Sequence, residues 1–296
     1  MINKKKKTLI IAEAGVNHNG EIKIAKKLID LASQAGADYI KFQSFKTENL
    51  VTKNAMKAKY QIRNNNKSDR SQFKMLKKLE LSRKDHIQLI NYCKKRKIKF
   101  LSSVFDIESF NLLNALNQKI IKIPSSEINN IPLLRYISKF KKKLIVSTGM
   151  SSLLDIKKNI KILTKNIINI SDISVLHCIS SYPTLDSDVN LKVMSTLKKA
   201  FKCRIGYSDH TEGIEIPIAA VALGAEIIEK HFTLSKHLSG PDHRVSLDSN
   251  EFKTMVHYIR NVEKALGSNK KAPMKSEMKN YDFIRKSIVA KRIIKK

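Results

Sequence analysis

The sequence predicts an α/β fold, a (β/α)8 TIM barrel, and three observations carry that prediction. Short β-rich runs alternate with longer amphipathic segments from one end of the chain to the other. Eight such runs occur, each followed by a longer connection, mostly of helical pattern. Chemically useful side chains gather where the runs end, which in a barrel is the face that carries the active site. A chain of 296 residues suits one such barrel, expected over 1–275, with 276–296 as a linker and tail.

The first strand is expected at 8–12 (TLIIA), leading straight into Glu13. It follows a basic start, but it is shorter than the roughly 7–15 apolar residues of a secretory signal. In the helix expected over 21–35, Ile24, Leu28, Leu31 and Ala35 recur on one face. Gly36 closes that helix before a strand at 39–43 (YIKFQ). The connection from 44 to 82 is longer than an ordinary βα loop. Its middle, 63–70, reads as a polar turn and QFKMLKKLEL as a helix, so the segment is expected to form a lid or an acceptor-site wall. Further strands are expected at 99–102, 120–123, 143–147, 173–177, 203–206 and 226–230. Helices over 83–96, 106–116, 152–164, 190–200 and 214–223 separate them, Gly224 ends the last of these, and a final helix spans 249–266.

Composition narrows the function classes. There are 57 Lys and Arg against 26 Asp and Glu, a formal charge of +31. The lysines are spread over nearly every helix, with runs at 4–7, 94–97 and 141–143. No Trp is present, and no basic-aromatic alternation suggests a base-stacking surface, which argues against nucleic acid as a partner. The surplus charge favours anionic substrates instead. No apolar stretch approaches the ~20 residues of a membrane span. Cys93, Cys178 and Cys203 share no close-spaced pair and fit a reducing cytoplasm, with Cys178 read as a buried small residue.

The strand ends, read in order, carry Glu13; Lys41 and Gln43; Ser102 and Ser103; Lys122, Ser125, Ser126 and Glu127; and Ser147 and Thr148. Tyr182 follows the sixth strand, Ser208, Asp209 and His210 the seventh, and Lys230 and His231 the eighth. These groups are expected to converge on one bowl. Lys41 and Lys122, with Ser103, Ser125, Ser147 and Ser208, make a donor-rich lining for a small phosphorylated anion. His210 and His231 close adjacent strands, ~4.8 Å apart in a sheet, so both imidazoles could reach one divalent metal ion with open positions. Glu13 and Glu127 are left as carboxylates for acid–base work or sugar hydroxyls. Ser126 and Thr148 have a plainer reading as helix caps, and His18, His86, His177, His237 and His257 as structural groups.

Several ordered motifs then resemble the N-acetylneuraminate (sialic acid) synthase family. They include IAEAGVNHNG at 11–20, KFQSFKTENLVT at 41–52 and KIPSSEINN at 122–130. STGMSS at 147–152, HCISSYPT at 177–184, GYSDHTEG at 206–213, EKHFTL at 229–234 and GPDHRVSLD at 240–248 complete the set. The resemblance implies a transferase that condenses phosphoenolpyruvate with the open-chain aldehyde of N-acetylmannosamine. It further implies a divalent metal, Mn2+ first and Mg2+ or Co2+ as alternatives, held by His210 and His231. By the same resemblance Lys41 faces the substrate carboxylate, while Lys122, Ser103, Ser125, Ser147 and Ser208 hold the phosphate. Gln43, Glu127, Tyr182 and Asp242 would contact the sugar, and Glu13 and Glu127 would serve as acid and base. A homodimer is expected from the resemblance alone. A legionaminic or pseudaminic acid synthase using a diacetamido-trideoxy-hexose is the alternative within the class; a catalytically impaired barrel acting as a binding or dimerisation partner is the alternative outside it. Ser103 stands where Thr is common, Val104 where Pro is usual, and Ser180 where some members have Asn. KSIVAKRIIKK at 286–296 resembles the opening of the family's small antifreeze-like domain, and the sequence stops there.

Overall fold

The computed structural model describes residues 7–58, 61 and 70–295. Its core is a closed barrel of eight parallel strands in sequence order. The strands are β1 (Leu9–Gly15), β2 (Tyr39–Ser44), β3 (Lys99–Val104), β4 (Ile120–Ile123), β5 (Lys143–Ser147), β6 (Ile173–Cys178), β7 (Arg204–Asp209) and β8 (Ile227–His231). Every strand expected from the sequence is present, and six of them extend further towards their C-terminal ends. β1 runs on through Glu13 to Gly15, which places Glu13 inside the barrel wall.

Because side chains alternate across a strand, one set points into the barrel and the other outward to the helices. Ile11, Tyr39, Leu101, Ile145, Leu176 and Ile227 form a separate buried apolar cluster, the plug inside the barrel. The outward set, including Ile10, Ile40, Phe42, Val146 and Ile228, joins the helices in the larger core. The helices Ile22–Gln34, Arg83–Lys95, Ile107–Ala115, Leu153–Leu163, Val193–Phe201, Glu215–Ala222 and Ser249–Ala265 match the expected positions. Local chemistry fixes their starts. Ser82, Ser152 and Asp248 each form a reciprocal capping box with the third helical residue. Gly36 and Gly224 adopt φ of +85° and +96°, the left-handed turn that ends a helix before the next strand.

Apart from three four-residue turns of helix, one helix among the described residues escaped the periodicity reading, Ile131–Ile137. It is short and carries Pro132 in its first turn, which blunts a sequence pattern yet suits a helix start. Asn130 caps it by accepting a hydrogen bond from the Leu133 amide at 3.2 Å.

Within the long connection after β2, Thr47–Leu50 and Gln72–Leu79 are helical. Arg70 is described, but the rest of the expected turn at 63–70 lies outside the described residues. Glu80 ties this segment down: it accepts from Lys46 Nζ at 2.9 Å, the Thr47 amide at 3.2 Å and Thr47 Oγ1 at 3.1 Å. Phe45 packs edge-on to Phe105 beneath it. Beyond residue 267 the tail carries two short helices, Lys275–Met278 and Tyr281–Ile284, and its described side chains are exposed. No helix among the described residues is long and apolar enough to cross a membrane. All three cysteines are free and buried.

Candidate active site

At the C-terminal ends of the strands lies a cavity of about 530 Å³. Every residue named above for catalysis, anion binding, sugar binding or metal lines it: Glu13, Lys41, Gln43, Ser103, Lys122, Ser125, Glu127, Ser147, Tyr182, Ser208, His210, His231 and Asp242. Strand register explains the convergence. Glu13 stands level with Lys41 on one side and His231 on the other. Gln43 pairs with Ser103, Ser103 with Lys122, and Ser208 with Glu229. The inward positions of neighbouring strands therefore form a continuous polar band above the apolar plug.

Four strand-end groups do not belong to this bowl, and alternation is the reason. Ser102, Asp209 and Lys230 are outward neighbours of inward residues. Ser102 Oγ donates to the Phe42 carbonyl, and Lys230 Nζ meets Asp209 Oδ2 at 2.5 Å in a buried ion pair. Thr148 neither lines the cavity nor caps a helix, since its hydroxyl donates to the Leu176 carbonyl. Ser126 lines the cavity rather than capping. His86 and His177 are held by hydrogen bonds to Ser82, Ser44 and Val189, as structural groups should be. Cys178 is buried as expected, yet it lines the cavity, 3.8 Å from His210 Nδ1.

The residue missed from the sequence is Glu229. It lies at the centre of the floor, 3.1 Å from Lys41 Nζ and 2.9 Å from Lys122 Nζ, and accepts from Ser208 Oγ at 2.9 Å. Its signal was available: if His231 faces inward on β8, so does the residue two before it. Lys41 also meets Glu13 at 3.3 Å. All four charged groups are at most 4% exposed.

Electrostatics sort these groups. Burial pushes the Glu13 carboxyl up to about 7 against the pull of Lys41, and Glu229 adds to the rise. Burial would raise Glu229 too, but Lys122 and Lys41 outweigh it and hold that carboxyl well below the usual range. For Lys41, burial is outweighed by two carboxylates, Glu13 and Glu229, and the ammonium is strengthened. Lys122 meets Glu229 closely and Glu13 only at longer range, so burial prevails and its value is lowered. When Glu13 is protonated, two ammonium groups face one carboxylate, a surplus of positive charge suited to an anion. Ser147 Oγ and Glu229 Oε2 are buried without a hydrogen-bond partner among the described residues, as groups awaiting a ligand would be.

A second convergence lies beside β1. A Cβ built on Gly15 would stand 3.3 Å from Glu13 Oε1, 3.4 Å from Gln43 Nε2 and 3.7 Å from Asp242 Oδ2. Burial pushes the Asp242 carboxyl up to about 6, opposed by His210. Two carboxyl groups and an amide around one point make a grip for hydroxyl or amide groups. On the opposite side, the Gly149 amide donates to Ser125 Oγ at 2.9 Å.

His210 and His231 lie with ring centroids 5.4 Å apart. The Nδ1 of His210 is 2.6 Å from the Ile179 carbonyl, which makes Nδ1 the protonated donor and leaves Nε2 for a metal. His231 Nδ1 is buried without a partner among the described residues, and burial, His210 and Lys41 hold the ring well below its ordinary value. A neutral imidazole is the form that ligates. No group of three or more His, Cys, Asp and Glu among the described residues makes a closed metal cage. A metal held by these two imidazoles would need water or substrate to complete its coordination.

The cavity's outer wall is apolar on one side. Val16, after β1, Leu50, Val51, Met75, Leu76 and Leu79 of the long connection, and Phe105, after β3, all line it. The long connection is thus a wall of the site, as its length suggested.

The sequence profile of the NeuB family matches residues 28–271. The chain belongs to the NeuB family. It is 54% identical over 291 residues to N,N'-diacetyllegionaminic acid synthase of Campylobacter jejuni, covering 98% of this chain and 87% of that protein. The protein of the same name from Legionella pneumophila is 46% identical, with 96% and 80% covered. Among solved structures, an N-acetylneuraminic acid synthetase from Leptospira borgpetersenii, in complex with citrate, superposes with a TM-score of 0.82 at 36% identity, covering 94% of this chain and 91% of that one. This NeuB-family chain is accordingly a phosphoenolpyruvate-dependent transferase making sialic-acid-type sugars. The expected N-acetylmannosamine acceptor is less well supported than the diacetamido alternative, because identity is much higher to the legionaminic acid synthases than to the neuraminic acid synthetase.

Proposed function

We propose that this chain condenses phosphoenolpyruvate with the open-chain aldehyde of a diacetamido-trideoxy-hexose, releasing inorganic phosphate and a legionaminic-type acid. The observation that carries the reading is the charge-sorted cavity floor, where Lys41, Lys122 and four serines face a buried histidine pair. The acceptor is drawn from the relatives, since the legionaminic acid synthases share about half of this sequence.

In this reading Lys122, Ser103, Ser125, Ser147 and Ser208 hold the phosphate, and Lys41 faces the carboxylate. Gln43, Asp242 and Tyr182 orient the sugar. A divalent ion, Mn2+ in first place, would be held by His210 and His231 and would polarise the aldehyde oxygen. The vinyl carbon of phosphoenolpyruvate attacks the aldehyde carbon, and protonated Glu13 delivers its proton to the developing alkoxide. Glu127, whose carboxyl burial also raises, takes a proton from the water that adds to the resulting oxocarbenium carbon. Collapse of that adduct breaks the C–O bond and frees phosphate.

The test is phosphate release from phosphoenolpyruvate with a diacetamido-trideoxy-hexose or N-acetylmannosamine, with Mn2+ and with chelator. Metal-dependent release with the first sugar in preference to the second is expected; release indifferent to either sugar would defeat the proposal. The pH dependence follows from Glu13. Its carboxyl is protonated below about 7, so kcat/KM should fall as pH rises through that value. In Glu13→Gln the overall rate drops and that limb disappears.

A further inference from the structure

We infer that the apolar wall formed by Leu50, Val51, Leu76 and Leu79 determines acceptor specificity, by facing the acceptor end that carries a methyl and a second acetamido group. The inference rests on the synthase reading above and adds the part of the molecule that enforces it. The cavity is divided by chemistry. Its anion-binding groups come from the barrel interior and the β4 and β5 ends, and its histidines from the β7 and β8 ends. The reacting aldehyde must lie between these groups. The remaining side, reached by the acceptor's far end, is bounded by residues following β1, β2 and β3, and those are predominantly hydrocarbon.

The wall is preformed. Leu76 and Leu79 are 8% and 6% exposed and pack with Val16, Phe45 and Met75 in their own cluster, against which Leu50 and Val51 lie. Glu80 fixes one end of the segment to Lys46 and Thr47. A surface held this way does not rearrange to offer a hydrogen bond. A hydroxyl placed against the four hydrocarbon side chains loses water and gains no partner from them, whereas a methyl keeps van der Waals contact. Gln72, on the same segment and also lining the cavity, offers an amide dipole for an acetamido group. Hydrocarbon pockets discriminate between such pairs by about ten- to a hundredfold and not much more, and that is the preference expected here.

The experiment compares kcat/KM for a diacetamido-trideoxy-hexose with that for N-acetylmannosamine in the wild-type chain, Val51→Thr and Leu50→Gln. Both positions are only partly buried, so the fold should survive, and melting temperature verifies it. The wild-type preference should fall by about tenfold in the variants, with the KM for phosphoenolpyruvate unchanged. If the wild type prefers the diacetamido sugar and both variants keep the full preference, the wall is not the selector and the inference falls while the synthase reading stands. A wild-type preference for N-acetylmannosamine overturns the inference and the choice of acceptor, leaving the transferase. Turnover of neither sugar defeats the synthase reading and this inference with it.

Discussion

Replacing His231 with alanine is expected to reduce turnover by about a thousandfold or more, with the barrel still folded. The imidazole ends β8 beside His210 at the end of β7, and its Nδ1 makes no hydrogen bond to the described protein. A buried side chain that forms no structural bond contributes little to folding beyond packing, so circular dichroism and melting should change only slightly. In the proposed mechanism its removal would leave one imidazole to hold the metal, and polarisation of the aldehyde would be lost. The measurement is phosphate release across a Mn2+ titration, for wild type and variant. A variant that kept full, chelator-resistant activity would reduce the histidine pair to a structural feature.

Glu229→Gln is expected to be the most destabilising single change at the site. It leaves the Lys41 and Lys122 ammonium groups, 3.1 and 2.9 Å from the lost charge, buried in the barrel with Glu13 as the nearest carboxyl. Breaking a buried pair in this way costs about 3–5 kcal/mol, a fall in melting temperature of roughly 6–20 °C for a domain of this size. Glu226→Gln is the control, because Glu226 pairs with Lys198 and Arg204 in a more exposed setting, where such pairs contribute about 0–1 kcal/mol. A second readout separates charge from packing. Glu229 is one of the groups that raise Glu13, so the pH limb near 7 should move lower in the variant. An unchanged melting temperature and an unmoved limb would together remove Glu229 from the charge framework of the floor.

Much of this was legible in the chain. Alternating β-rich and amphipathic runs report which segments can bury a face in two directions or in one, and that fixed the number of strands and their approximate limits. Helix starts were legible where a Ser or Asp supplies a cap, as at Ser82, Ser152 and Asp248. The seven-residue helix after Asn130 was not, because seven residues are too few for a 3.6-residue period to declare itself.

The sequence by itself determined the barrel, the face on which its chemistry lies and most of the side chains gathered there, because local pattern and topology rule where strand ends point. The acceptor was another matter: the motifs favoured N-acetylmannosamine, while similarity over nearly all of this chain favours the diacetamido sugars. Only the tertiary structure decided which strand-end groups face the cavity. Two adjacent residues in one strand, such as Glu229 and Lys230, point to opposite sides, so one joins the floor and the other an ion pair with Asp209. It also decided that the two cavity lysines share a carboxylate from β8, a partner more than a hundred residues away from Lys122. That pairing depends on closure of the barrel, a long-range event that leaves no local trace in the chain.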